Sequence, residues 1–191
     1  MTSTVTVNLP DGWLEIDPRQ PDIAAELRRT VRERLDIEAD TERVVQITAP
    51  LATELRRLTA ETDVLIAGFF AELIPAGQQQ LLTTASLILA ISPPVQGLAE
   101  VRRALAAKSA HRMRIRTVDL PAGESVVSTA TITLTRPEWP DTIPALLTRS
   151  FIPVPDSDRI ATLCLLTPNV DLTDAFDSVF EAIAESVAFT P

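Results

Sequence analysis

Clustered carboxylates are the residues of this sequence with the clearest capacity for chemistry. The stretch TPNVDLTDAFDSVF at 167–180 places Asp171, Asp174 and Asp177 close together, and the loop PDSD at 155–158 adds two more aspartates. Calcium sites use clustered carboxylates, but an EF-hand loop has another spacing and requires a glycine that is missing here. The clustered aspartates are therefore compatible with a cation site, but they do not match a known calcium-binding motif.

A helix start explains the same acids. The apolar residues of the stretch fall on one helical stripe, formed by Leu172, Phe176, Val179, Phe180, Ile183 and Val187, which predicts a helix from about 172 to 188. Asp171 suits its N-cap, and Asp174 follows three residues later, as in a capping box. Asp174 and Asp177 also lie near the positive end of the helix dipole. We expect helix initiation, and no metal site.

The basic residues are unevenly distributed. The stretch RRALAAKSAHRMRIR at 102–116 carries six Arg or Lys and no acid, in a chain of net charge −9. The arginine fork matches carboxylates and phosphates, so this stretch is a candidate binding patch for an acidic segment of a protein partner. Its tentative binding residues are Arg102, Arg103, Arg112, Arg114 and Arg116. The alternative is a solvated face whose arginines pair with nearby Asp and Glu.

Catalytic signatures are missing from the sequence. His111 is the one histidine and has no evident orienting partner. Cys164 lies among aliphatic residues in ATLCLLT, as expected of a small core side chain. The five glycines form no phosphate-binding loop, and serine-hydrolase, P-loop and Rossmann motifs are absent. We predict a protein that is not an enzyme and has no cofactor, although a pair of carboxylates distant in the chain would leave no motif.

Composition narrows the class of protein further. The length of 191 residues suits a single domain, 1–191, and 46% of the residues are hydrophobic. The negative charge and the scarcity of aromatic rings argue against binding to nucleic acid or anionic membranes. No signal peptide and no membrane span are recognisable, so we expect a soluble, cytoplasmic protein. The predominance of Arg over Lys, with many Ala, suggests a GC-rich bacterial source.

Hydrophobic periodicity predicts an α+β fold, an antiparallel β-sheet with helices packed on it. Helices are expected at 21–35, 41–60 (interrupted at Pro50), 95–108 and 172–188. Strands are expected in a short hairpin-like start before 17, and at 63–73, 79–92, 112–119, 124–135, 146–154 and 159–167. The apolar runs of the 63–92 pair indicate strands covered on both faces. The next pair alternates, so Arg112, Arg114 and Arg116 point one way from the first strand. Thr129, Thr131, Thr133 and Thr135 point one way from the second, and both strands therefore show one polar face.

Two segments carry a family resemblance. The ending FIPVPDSDRIATLCLLTPNVDLTDAFDSVFEAIAESVAF and the opening LPDGWLEI resemble PsbP-like domains. That fold is shared with the Ran-binding Mog proteins and several actinobacterial proteins. The resemblance implies an α/β/α sandwich without enzyme activity, in a group that acts mostly by binding: photosystem assembly, engagement of a GTPase, or accessory roles in the cell envelope. No functional residue transfers, because no binding motif matches position by position.

These observations favour a non-catalytic binding or accessory protein that acts through a sheet face or groove. A bacterial secretion-associated accessory or chaperone factor is one version, by fold analogy. The alternative is a small-molecule-binding domain, or an enzyme with a dispersed site between sheet and helices. Homodimerisation through the Thr/Arg face is a third possibility.

Overall fold

The computed structural model describes residues 4–35, 48–49, 52–53, 55–56, 59–60, 62–76, 79–95, 97–108, 113–134 and 142–190, with the backbone alone at 76, 79, 80 and 108. The strands are β1 (Thr4–Thr6), β2 (Trp13–Ile16), β3 (Asp63–Ala76), β4 (Gln79–Ile91), β5 (Met113–Leu120), β6 (Gly123–Leu134), β7 (Ile143–Pro153), β8 (Ile160–Thr167) and β9 (Ala188–Thr190). The helices are α1 (Ile23–Leu35), α2 (Leu98–Lys108) and α3 (Thr173–Glu185), the last preceded by a 3₁₀ turn, Val170–Leu172. The described positions between 48 and 60 are also helical.

A seven-stranded sheet organises the molecule. Its strand order is β2-β3-β4-β8-β7-β6-β5, and each neighbouring pair is antiparallel. A second, two-stranded sheet joins β1 to β9. Helices pack on the large sheet, so the predicted α+β class with an antiparallel sheet is confirmed. Among the described residues no helix is both long and apolar enough to cross a membrane.

The large sheet separates two apolar clusters. On one face, called the α1 face, Leu27 and Val31 of α1 pack with Leu55 against β3 and β4. On the opposite face, called the α3 face, Phe180 and Ile183 of α3 pack against β4, β7 and β8. The central strands bury side chains on both faces, which is why the 63–92 segment reads as nearly continuous apolar runs.

Helix α2 lies on the α1 face. The strand register places five side chains in one row across this face: Thr117, Val126, Phe151, Thr162 and Ala90. Ala90 belongs to the cluster under α1, and Arg102 of α2 donates to the Thr117 hydroxyl at the other end of the row. Both faces of the sheet therefore carry helices, in three layers.

The start of the chain corrects one expectation. We predicted a hairpin within the first sixteen residues, but β1 pairs with β9, from Thr4↔Thr190 to Thr6↔Ala188, and β2 pairs with β3 instead. The prediction of local pairing was wrong because the partner of β1 lies at the other end of the chain. The final helix ends at Glu185, so Ala188–Thr190 can form the strand that pairs with β1.

The start of the last helix corrects another. Asp171 is not its N-cap, because the chain already turns as a 3₁₀ helix at Val170–Leu172, and Leu172 occupies the cap position of α3 without a side-chain cap. Asp174 lies in the first turn as predicted. Asn169, just before the turn, directs its side chain to the sheet.

The solvent face of α1 carries paired charges. Arg29 pairs with Glu26 and with Glu33, one turn away on either side. These two carboxylates raise the pKa of the Arg29 guanidinium, mainly through their hydrogen bonds. The charges stay exposed while Leu27 and Val31 of the same helix face the core.

Candidate functional site

Strand β5 is an edge of the large sheet. It pairs with β6 along its eight residues, from Met113↔Ala130 to Leu120↔Gly123, and no described strand pairs with its outer side. The opposite edge is β2, which has four residues. An edge strand presents backbone N–H and C=O groups that can pair with another chain. β5 is thus the longer of the two edges open to such pairing.

Two of the predicted arginines lie side by side along this edge. Arg114 and Arg116 alternate with Ile115 and share the α3 face of the sheet. The row through Arg116 continues across the sheet as Val127, Ser150, Leu163 and Leu89. Polarity therefore falls from the exposed edge to the buried centre. The predicted common polar face is confirmed at these positions, since Arg114 is directly opposite Thr129 of β6.

Helix α3 supplies acids to these two arginines. Nη2 of Arg114 lies 3.7 Å from a carboxylate oxygen of Asp177, and Nη2 of Arg116 lies 3.4 Å from one of Glu181. All four side chains keep at least a third of their surface in solvent. Each contact is long and uses a single nitrogen, so each is a weak surface pair. The pairing with nearby acids that we expected as the alternative to a partner patch is present, but within the described residues it uses one nitrogen of each guanidinium.

The remaining arginines of the predicted patch lie on the other side of the sheet or outside the described residues. Arg102 of α2 donates from Nη1 to Oγ1 of Thr117 at 3.1 Å, on the α1 face. Arg103, its neighbour, is exposed. Arg112 and His111 fall outside the described residues. The basic stretch is therefore divided over the two sheet faces, and β5 is the boundary at which its parts meet.

Asn169 performs a role that the sequence reasoning missed. Its carboxamide oxygen accepts from the Thr84 N–H at 2.8 Å, and its amide nitrogen donates to the Leu82 carbonyl at 3.0 Å. The β4–β8 ladder has its last pair at Ser86↔Leu166, so this side chain continues the ladder as a strand residue would. Thr167 assists by donating from Oγ1 to the Thr84 carbonyl at 2.7 Å.

An open pocket lies at the end of the sheet where β3 begins, β4 ends and β8 begins. Its volume is about 370 Å³, and it is lined by Ala60, Thr62, Asp63, Ile91, Pro93 and Arg159. Arg159 donates from Nε to the Ser92 carbonyl at 2.9 Å. No sequence motif could have indicated this pocket, because the two charged residues of its described lining, Asp63 and Arg159, belong to different hairpins.

The aspartates of 155–158 and 171–177 do not assemble into a metal site. Within the described ranges no three His, Cys, Asp or Glu side chains come close enough to hold an ion. Asp177 is used by Arg114 instead, and the 155–158 loop is the turn between β7 and β8. Cys164 lies partly buried against the cluster under α1, as expected of a core side chain.

The fold is similar to that of a protein from Mycobacterium tuberculosis. The crystal structure of LpqN, a protein involved in cell envelope biogenesis, matches 100% of this chain and 85% of LpqN, with a TM-score of 0.52 and 11% sequence identity. No protein-family profile matches the chain, and no curated protein matches it in sequence. At this identity the likeness shows the fold alone. The narrower resemblance to PsbP-like and Mog-like domains stays a prediction.

Proposed function

We propose that the protein is a non-catalytic binding or accessory protein that takes an acidic, extended segment of a protein partner along the outer edge of β5. The observation that carries the proposal is the character of this edge. β5 is eight residues long, and no described strand pairs with its outer side. Arg114 and Arg116 lie on one face of the sheet at this edge, and Arg102 lies on the other face.

Strand addition fits this geometry. Main-chain hydrogen bonds to an edge strand supply affinity, and the flanking side chains supply specificity. Charged side chains on an edge also discourage uncontrolled pairing. If β5 paired with β5 of a second copy, the arginines of both would meet on one face, which is unfavourable. An acidic segment removes that penalty.

The acids of α3 do not prevent such binding. Exposed ion pairs contribute roughly 0–1 kcal/mol each, so a partner carboxylate can replace Asp177 or Glu181 at little cost. A carboxylate that meets Arg114 or Arg116 through two parallel N–H groups forms the stronger, bidentate arrangement. The present contacts, through one nitrogen at 3.7 and 3.4 Å, leave room for that improvement.

The role of LpqN in cell envelope biogenesis is compatible with an accessory function, including one in secretion or envelope assembly. A fold likeness at 11% identity only suggests where to look for a partner. A cytoplasmic location is part of the proposal, and cell fractionation tests it.

Partner capture tests the proposal directly. The protein is used as bait in extract of its own cell, alongside a variant with Arg114→Glu and Arg116→Glu. The control variant carries Arg29→Glu and Arg34→Glu on α1, which changes the net charge equally on another surface. We expect the control to retain the captured protein and the β5 variant to lose it. Equal capture by both variants would reject the β5 edge as the binding surface.

A second candidate function is small-molecule binding, which the pocket of about 370 Å³ favours. This pocket lies at the end of the sheet and is open to solvent. The site we expected for this alternative, between sheet and helices, is occupied at the described positions by the two apolar clusters. The pocket at the end of the sheet is therefore a separate candidate site for a small molecule.

A further inference from the structure

We propose that the pocket between the start of β3, the end of β4 and the start of β8 binds a small zwitterion, an α-amino acid with a short aliphatic side chain. Among the described residues that line it, the pocket presents one cation, Arg159, one anion, Asp63, and three apolar side chains. This inference does not depend on the proposed role of β5, since the pocket is formed by other residues and the proposed ligand is of another class.

Arg159 supplies the group that recognises a carboxylate. Its Nε–H donates to the Ser92 carbonyl at 2.9 Å, and its backbone is fixed by hydrogen bonds from the Arg159 N–H to Ser157 Oγ and from the Val154 N–H to the Arg159 carbonyl. Its terminal nitrogens have no hydrogen bond or ion pair within the described part of the chain. A half-buried guanidinium held at one nitrogen is preorganised to bind a carboxylate through the others.

Asp63 supplies the complementary anion. It is the first residue of β3 and lines the same pocket. Its carboxylate makes no ion pair with Arg159 or with any other described residue. The two opposite charges thus face one cavity without neutralising each other. A phosphate would be repelled by Asp63, whereas a ligand that carries an ammonium beside its carboxylate satisfies both residues.

The rest of the lining sets the size of the ligand. Ala60, Ile91 and Pro93 form an apolar wall suited to a small hydrocarbon group. The volume of about 370 Å³ lies near the lower end of the range for ligand pockets, roughly 300–1,000 Å³. A short branched side chain fits these limits, so L-valine is a suitable probe.

The experiment compares L-valine with two analogues, each of which lacks one of its charged groups. Isovalerate keeps the isopropyl group and the carboxylate but lacks the amine, and isobutylamine keeps the isopropyl group and the amine but lacks the carboxylate. Binding is followed by NMR titration of the backbone amides of Thr62, Asp63 and Arg159 and of the Arg159 Nε–H. We expect saturable binding of L-valine, and affinities at least about tenfold weaker for each analogue, because each loses a charge-assisted contact.

Two substitutions test which residue binds the carboxylate of the ligand and which binds its ammonium group. Arg159→Gln should abolish the preference for L-valine over isobutylamine, and Asp63→Asn should abolish its preference over isovalerate. Asp63 is exposed, so D63N keeps the test valid even if loss of the Arg159–Ser92 bond unfolds the first variant. Arg103→Gln, on exposed α2 surface, is the control and should bind L-valine like the native protein.

Three results would overturn the inference: no saturable shift with L-valine at millimolar concentration, equal binding of L-valine and isovalerate, or undiminished binding in a folded D63N variant. Each of them leaves the β5 proposal untouched, because partner capture does not involve this pocket.

Discussion

Replacing Asn169 by Ala should cost the protein about 2 kcal/mol of unfolding free energy. The carboxamide makes two hydrogen bonds to β4, with Thr84 at 2.8 Å and with Leu82 at 3.0 Å. A net contribution of roughly 0.5–1.5 kcal/mol for each bond gives that sum. The loss is large for a domain whose whole stability is of order 5–15 kcal/mol, because the side chain takes the place of a strand residue beyond the end of the β4–β8 ladder.

Urea unfolding followed by circular dichroism measures this loss, with native and variant proteins compared at equal slope. Ser178→Ala is the matched control, since Ser178 makes one exposed hydrogen bond to the Asp174 carbonyl of α3. We expect the control to lie within about 0.5 kcal/mol of the native protein. Hydrogen exchange gives a local readout, because the Thr84 amide should lose protection in N169A before the rest of β4 does.

A double-mutant cycle with Thr167→Val sharpens the test. Thr167 Oγ1 donates to the Thr84 carbonyl at 2.7 Å and accepts from the Asn169 N–H at 3.1 Å. Residues that share one network should show a coupling energy of at least about 0.5 kcal/mol. An N169A variant as stable as the native protein, with Thr84 still protected, would refute the assignment of Asn169 to the ladder.

Three further variants test other parts of the structure. Thr148→Val should raise the unfolding free energy by about 1 kcal/mol, because the Thr148 hydroxyl is buried without a hydrogen-bond partner among the described residues; a fall in the melting temperature would contradict this. Phe180→Ala should cost about 3–5 kcal/mol, since Phe180 is 1% exposed and its ring packs at a tilt against that of Phe176, with 5.5 Å between the centroids; a loss below about 1 kcal/mol would place α3 outside the core. Arg114→Gln with Arg116→Gln should change stability by under about 1 kcal/mol in total; a larger loss in calorimetry would mean that these arginines serve the fold.

The local elements were predictable because their signals are local. The apolar runs of 63–92 predicted strands covered on both faces, and both β3 and β4 contribute side chains to the apolar clusters on the two faces. The alternation of Arg114 and Arg116 with apolar neighbours predicted their common face. Each of these inferences needs only the side-chain period of a strand.

Contacts between segments far apart in the chain could not be predicted from the sequence, because no local pattern of residues indicates them. The pairing of Thr4 with Thr190 joins the two ends of the described chain. The prediction of Asp171 as the N-cap was wrong because Asp171 lies within a 3₁₀ turn. The preceding residue outside this turn, Asn169, accepts a hydrogen bond from the backbone of β4. The division of the basic stretch between two sheet faces depends on where α2 packs, which composition alone does not determine.

Hydrogen exchange of β5 in the presence of the captured partner tests whether the partner binds along this edge strand. If the partner adds a strand to this edge, the amides of Met113–Leu120 that point outward should gain protection, while those already bonded to β6 change little. We expect this alternating protection in the native protein and its loss with Arg114→Glu and Arg116→Glu. Protection confined to β2 or to α1, with the β5 amides unchanged in the complex, would contradict it.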